Sequence, residues 1–435
     1  MMKRKYLVAP LLLSIILSAC NGKAKNDFIP KLDTDTKGSI TIAGNYANFE
    51  ALEIEFDEFQ KYYPNIQLQY SFLSDGNGSN VYNATIETNL DSNTPADIYF
   101  TFDWMQTNDK YANLYDKFAV DLSNSELGID YSIIDQQLIY HRDGAIPTLP
   151  VLGLTYGMLV NEKIFKENNL SIPKTYDELL SVSKSLINLG YQSPLMSSIS
   201  DVSSFASALT YGTLANTARG NDKFIDDLNN VVEGAGENLR PILNQVKAVI
   251  DNDIIDVDYC AEFIDGYSAY SSNSRRMLMR FLEGNVPMLM LPADTASSAK
   301  KRESECEAFQ NNPFSYTFNV VPFTNSGTYL YKVATISLSI NKYSNNLDYA
   351  VEFMRFLISK THLTSLANNK MLLNTVNDSG YVGLFSPLNN FDKNNIVYSS
   401  EAKLTDNTFK QFRNMVVEVA KGAPIDDVII KYGTY

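Results

Sequence analysis

The spacing of apolar and polar positions changes several times along the chain, and each change marks an element. Ser39-Ile-Thr-Ile-Ala43 alternates apolar and polar residues, the two-residue period of a strand. After Gly44-Asn45-Tyr46 the period lengthens: Phe49, Leu52, Phe56, Phe59 and Tyr63 recur at three- and four-residue steps, which places them on one helical face ahead of Pro64. Ile66, Leu68, Tyr70 and Phe72 alternate again, Ser74 to Asn80 is rich in Gly and Asn, and Asp97-Ile-Tyr-Phe100 reads as a third strand. A strand-helix-strand opening predicts a parallel sheet with helices on its faces.

Thr175-Tyr-Asp-Glu178 is a capping box that follows Pro173, and Leu179, Val182, Leu186 and Leu189 form the buried stripe of the helix it starts, with Gly190 as its stop. Val286 to Leu291 and Phe318 to Phe323 are short apolar runs read as strands, and Ala334, Ile336, Leu338 and Ile340 alternate. Asp348 is read as the cap of a helix carrying Val351, Phe353, Phe356 and Leu357. A last helical stripe, Phe409, Phe412, Val416 and Val419, stops near Gly422 and Pro424. No repeat of solenoid period is present.

The first residues follow a different logic. Lys3, Arg4 and Lys5 precede the apolar run Leu7 to Leu17, which is too short to span a bilayer, and Leu17-Ser18-Ala19-Cys20 supplies a small-residue cleavage site. That tetrapeptide resembles the lipobox of bacterial lipoproteins, which implies removal of residues 1–19 and lipidation of Cys20. The polar stretch 20–37 then reads as a flexible tether. Loss of the three leading cations takes the formal charge from −14 to −17.

At 435 residues the chain exceeds the roughly 250–300 residues at which one core stops growing, so two lobes are expected. Composition is that of a globular protein, 45% hydrophobic and 20% charged, which excludes wholesale disorder. After residue 20 no apolar run approaches the roughly 20 residues of a membrane span. A net charge of −14 excludes an ordinary nucleic-acid binder. His141 and His362 are the only histidines and lie far apart, so neither a histidine metal site nor a histidine triad is expected. No cofactor or nucleotide motif appears, and no catalytic residue is assigned. Beyond Cys20, Cys260 and Cys306 either pair or stay as buried thiols. Aromatics are uneven: 27 Tyr and 23 Phe accompany a single Trp, Trp104.

Four segments in order resemble the family 1 extracellular solute-binding proteins of bacterial ABC importers, the maltose-binding-protein-like group. Gly157-Met-Leu-Val-Asn161-Glu-Lys-Ile-Phe165, leading into Pro173-Lys-Thr-Tyr-Asp-Glu-Leu179, is similar to the family's "YNKDLF…PKTWDEL" stretch, with Val160 and Tyr176 in place of the usual Tyr and Trp. Phe281-Leu-Glu-Gly-Asn-Val-Pro-Met288 is similar to "F..GKAAM", and Phe318-Asn-Val-Val-Pro322 to "GV.PLP". Ile340-Asn-Lys-Tyr-Ser344 then leads to Ala350-Val-Glu-Phe-Met-Arg-Phe-Leu357. The resemblance covers most of residues 38–432. It implies an α/β chain with a two-lobed periplasmic-binding-protein-like (type II) fold, with parallel-type sheets, hinge crossovers and a central cleft. One lobe would comprise 38–158 plus 319–372 and the other 159–318 plus 373–435, with crossings at strands 157–161 and 318–323.

In such sheets ligands sit beyond the carboxyl ends of the strands. That rule selects Asn45 and Tyr46 after the first strand, Asp75, Asn77 and Asn80 after the second, and Asp103 and Trp104 after the third. A sugar ring, with hydroxyls around apolar faces, needs such carboxylates and amides together with aromatic plates. The resemblance adds Asp294, where the group's pattern carries a stacking Trp, and Phe409 near another stacking position. Tyr156, Tyr329 and Tyr331 flank the implied crossings, and Asp201 with Ser203 follows Ser193-Pro-Leu-Met196. Asp75-Gly-Asn-Gly-Ser79 looks like the start of a calcium loop, but Asn80 and Ile86 stand where an EF-hand requires Gly and Glu. The acidic run Glu53, Glu55, Asp57 and Glu58 is read as a solvated helix face.

The resemblance implies a monomeric, lipid-anchored capture protein on the outer face of the cell membrane. It would bind a sugar or oligosaccharide by closure of two lobes and pass it to permease subunits. The Tyr-rich, Trp-poor composition favours a Gram-positive exterior. Two alternatives stand beside it: a surface glycosidase using carboxylates such as Asp103 and Asp294, and a sensor lipoprotein that presents its closed form to a membrane receptor.

Overall fold

A computed structural model of the chain describes residues 28–435, apart from 74–78, 107–108, 200–203, 266–272, 326–327 and 378. The predicted signal segment, Cys20 and the start of the predicted tether lie outside the described residues. Ten strands are present among the described residues: β1 (Gly38–Gly44), β2 (Ile66–Phe72), β3 (Ile98–Thr101), β4 (Leu149–Leu154), β5 (Tyr156–Asn161), β6 (Leu195–Met196), β7 (Met288–Pro292), β8 (Tyr316–Asn319), β9 (Leu330–Ile340) and β10 (Ile396–Tyr398). They form two sheets with helices between them in sequence, an α/β architecture. The first sheet has the order β10-β9-β3-β1-β2 with β4 also on β9, and the second is β6-β7-β5-β8.

The parallel pairing predicted from the opening holds for β1 with β2 and β3. The sheets are nevertheless mixed, because β9 runs antiparallel to β3 and β4, and β5 antiparallel to β7 and β8. Strand β3 shows why it reads as a continuous apolar run. Ile98 and Phe100 enter the core beneath the helix Tyr46–Gln60, whereas Tyr99 enters a separate core on the other face with Tyr82, Tyr115 and Phe118. A strand covered on both faces has no polar side.

The predicted helical stripe Phe49, Leu52, Phe56 and Phe59 is buried throughout, each ring or branched chain worth roughly 1.5–3 kcal/mol of burial. Tyr63 lies beyond the helix end and is buried for another reason: its hydroxyl donates to Glu352 at 2.5 Å. Glu352 also accepts from Arg355 and from the Lys31 amide, the latter at 2.7 Å. Phe28 packs edge-on against Tyr62 and Phe356 at 5.3 and 5.2 Å. Residues from Phe28 onward, read as tether from sequence, are thus packed on this lobe.

Four local expectations are corrected. The acidic run 53–58 is not wholly a solvated face, because Glu55 is fully buried and its carboxylate lies 2.7 Å from His362 Nδ1. Leu189 is 52% exposed rather than part of the buried stripe, because it is the C-cap residue where the helix Tyr176–Asn188 unwinds into Gly190, at φ +98°. Strand β8 ends at Asn319, and 320–323 peel away from the sheet although Val321 and Phe323 stay buried. The helix predicted to be capped by Asp348 is Leu347–Leu357, with Asn346 at the cap and Asp348 in its first turn.

The chain passes between the sheets where the cores meet. Only Thr155 separates β4 of the first sheet from β5 of the second, and residues 320–329 carry it back from β8 to β9. A further passage follows the helix Lys360–Lys370: Leu373 bridges to Gly153, Phe385 packs on Phe318 at 5.2 Å, and β10 joins β9. Cys260 and Cys306 are free and buried, and the Cys260 sulfur lies 3.3 Å from the Ser193 hydroxyl. Among the described residues no helix is long and apolar enough to cross a membrane, and no group of three or more His, Cys, Asp or Glu side chains could hold a metal.

Candidate ligand-binding cleft

A cavity of about 440 Å³ opens where three segments converge, within the size range of small-molecule sites. The first wall is built by the turn after β3, which carries Asp103, Trp104 and Gln106. The loop Gln137 to His141 forms the second, and Tyr331 of β9 lies at the back. The third wall comprises Ser399, Ser400 and the start of the helix Asp406–Ala420, with Lys403, Thr405, Asp406 and Phe409; Tyr211 closes it.

Aromatic rings dominate this space. Tyr211 stacks on Tyr331 at 5.0 Å and 27° and on Tyr156 at 4.9 Å and 21°, and it meets Phe409 at 5.1 Å. Arg413 donates to the Tyr211 hydroxyl at 3.1 Å, which fixes the ring's edge. Trp104 stacks on Phe102 at 5.6 Å and 14°, with Tyr82 and Tyr111 edge-on around it. The half-buried Trp104 therefore has a rigid backing.

Tyr211 owes its place to a π-helical turn, Leu209–Leu214, that interrupts the helical segment starting at Ser204. Such turns insert a residue and redirect side chains, often at functional sites. Burial pushes the Tyr211 phenol up to about 12 despite Arg413, and burial raises Tyr156 and Tyr331 well above the ordinary phenol range. All three are neutral hydroxyl-bearing plates at physiological pH.

Asp103 is one of two acidic residues that line the cleft, with Asp406. Burial pushes its carboxyl up to about 7, the Trp104 amide opposes that shift, and the charge of Asp406 adds to it. Asp103 as a residue is only partly buried and lines the cavity. Asp294, by contrast, is solvent-exposed and accepts from the Thr295 amide at 2.6 Å.

Of the residues selected from sequence, Asp103, Trp104, Tyr331 and Phe409 line this one cavity. Tyr156 and Tyr329 line an adjoining pocket that shares Tyr331 with it. Asp294 sits just after β7 in the short helix Ala293–Ser297 and is not among the cavity's lining residues. Asn45 is the cap residue of the helix Tyr46–Gln60 without making a side-chain cap bond, and it too stands apart from that lining. Asp75, Asn77, Asp201 and Ser203 lie outside the described residues, as do the side chains of Tyr46 and Asn80. Sequence reasoning missed Tyr211, the loop Gln137 to His141 and Asp406. None of these is marked by an apolar period in the sequence.

Two sheets, crossings between them and an aromatic cleft where they meet define a two-lobed binding protein. The family model for bacterial extracellular solute-binding proteins matches residues 43–362, and the chain belongs to that family. Its fold is shared with a family 1 extracellular solute-binding protein from Bifidobacterium longum subsp. infantis, with a TM-score of 0.64 at 15% identity over 90% of this chain and 97% of that one. The GacH receptor of Streptomyces glaucescens, solved unliganded and with acarbose, gives 0.65 at 17% identity over 92% and 97% of the two chains. The ABC substrate-binding protein Lmo0181 from Listeria monocytogenes, solved with cycloalternan, gives 0.63 at 16% over 91% and 96%. At these identities the likeness establishes the fold. No curated protein matches by sequence.

Proposed function

We propose that the protein captures a sugar or oligosaccharide between its lobes and delivers it to the membrane subunits of an ABC importer, without chemical turnover. The observation that carries this reading is the joining of aromatic plates, Trp104, Tyr211, Tyr331 and Phe409, with the carboxylate Asp103 in one cleft. A ring with apolar faces and a hydroxyl rim is complementary to that set. Acarbose and cycloalternan in two structural neighbours support the same ligand class. The lobes would be 38–158 plus 319–372 and 159–318 plus 373–435, closing about the crossings at Thr155 and 320–329. Lipid on Cys20 would hold a monomer at the outer face of the cell membrane, favoured as Gram-positive.

A thermal-shift panel tests the reading. Raffinose, maltotriose and larger oligosaccharides are compared with spermidine, a phosphate ester and divalent metals. A ligand at about 100 times its Kd adds roughly 2.7 kcal/mol of stability. Stabilisation by at least one saccharide, with the saccharide recovered intact, is expected. A shift with spermidine, the phosphate ester or a metal and with no saccharide would overturn the sugar assignment.

A further inference from the structure

Behind the cleft, one carboxylate joins two of its walls and its back. Asp135 stands just before the loop Gln137 to His141, and its side chain accepts from the Gln137 amide at 3.3 Å through Oδ1. Its Oδ2 accepts from Lys332 Nζ at 2.9 Å and from the Tyr398 hydroxyl at 2.8 Å. Lys332 and Tyr398 are register partners on β9 and β10. Each directly adjoins a cleft residue: Lys332 follows Tyr331, and Tyr398 precedes Ser399 and Ser400. The Ser400 hydroxyl also donates to the Gln137 carbonyl at 3.0 Å.

The location matters as much as the bonds. Ile134 and Ile139, on either side of Asp135, belong to the core of the first sheet, whereas Leu330, Tyr331, Val333 and Val397 belong to the core of the second. The Lys332 and Asp135 side chains are only 9% and 13% exposed. A desolvated ion pair is a poor source of net stability, because dehydration offsets most of the Coulomb gain, and its best-attested use is to fix a unique arrangement. Here the pair joins residues that flank the two cores at the cleft.

We propose that Asp135 is a positioning residue of the cleft, pinning the walls formed by 137–141, Tyr331 and 399–400 at the pivot between the lobes. The proposal rests on the capture reading for its consequence in ligand affinity, but its geometric content is testable without ligand. Trp104 is the chain's only tryptophan and lines the same cavity, so its fluorescence reports cleft geometry.

The experiment compares wild type, Asp135→Asn, Lys332→Met and the double variant in melting temperature, acrylamide quenching of Trp104 and affinity for whichever panel saccharide binds wild type. Asp135→Asn leaves Lys332 buried without its counter-charge and should lower the melting temperature. In the double variant the orphan charge is gone, so melting should recover while the tie stays broken. Trp104 quenching should then remain above wild type, and affinity should stay about 2- to 30-fold weaker, the range of coupling mutations. Full recovery of quenching together with melting would show a merely structural pair and overturn the proposal, as would unchanged quenching in Asp135→Asn. Should Asp135→Asn fail to fold, Lys332→Met and Tyr398→Phe each remove one partner and carry the same readouts. If no saccharide binds wild type, the functional reading fails while quenching still decides the role of Asp135.

Discussion

Tyr211 and Tyr331 stack face to face at 5.0 Å although they come from a helix of one segment and a strand of another. The pair, with Tyr156 also stacked on Tyr211, links a cleft wall to the starts of β5 and β9, the two strands at the crossings. On the capture reading, a ligand that meets the edge of Tyr211 would be one ring away from both crossings. Tyr211→Ala should weaken ligand binding by about 2 kcal/mol, some thirtyfold, as central aromatic anchors do. Tyr211→Phe keeps the stack, loses only the bond from Arg413 and should cost less than half of that. Titration calorimetry with a panel saccharide separates the two, and equal losses would contradict the stacking role.

Asp103 gives the cleft a pH dependence of defined sign. Its carboxyl is raised by burial to about 7 in the folded state, against 3.8 for the free side chain. The folded state holds this proton more tightly than the unfolded chain, so the contribution to stability is full below about pH 4 and is lost as pH rises toward 7. Hydrogen-bond acceptance from a ligand hydroxyl runs the other way and strengthens as the carboxylate forms. Affinity should rise between pH 6 and 8 while melting temperature falls, and Asp103→Asn should flatten both trends. Parallel movement of affinity and stability with pH would refute this assignment.

What the residues alone reveal follows from how local each signal is. The helix Asp406–Ala420 is legible because Phe409, Phe412, Val416 and Val419 keep a helical period and Gly422 stops it at φ +93°. Asp103 and Trp104 are legible because they follow a short apolar strand, where cleft loops begin. Tyr211 is hidden because its direction depends on a π-helical turn, which no apolar period announces. Asp406 looks like an ordinary first-turn acid of its helix, and nothing periodic marks 137–141 as a wall. Leu189 misleads because the stripe runs one residue past the point where the helix unwinds.

The cysteines should behave as isolated thiols. Cys260 is 1% and Cys306 3% exposed, and neither is bonded to the other. Reductant should leave the melting temperature unchanged. A thiol reagent should label neither in the native state and both in guanidinium. Rapid native labelling, or a mass two hydrogens lighter than that of the reduced chain, would contradict the arrangement.

Gly157 tests how tightly the second sheet is built at the crossing. It lies in β5 opposite Leu291 of β7 and just after Tyr156, where the chain has left the first sheet. A Cβ there would stand 2.3 Å from the Asn319 carbonyl oxygen and 2.7 Å from the Phe318 ring. The ring is fully buried against Phe385 and the carbonyl is backbone, so neither can swing aside as a surface side chain would. Strand β8 must shift, and overpacking of this kind costs about 1–3 kcal/mol. Because β8 leads into the return crossing at 320–329, that shift should reach the cleft through Tyr329 and Tyr331. Gly157→Ala is therefore expected to lower the chemical-denaturation midpoint and also to alter Trp104 fluorescence. Gly190→Ala, at φ +98° with open space around its Cβ, should lower stability through backbone strain while leaving that fluorescence unchanged.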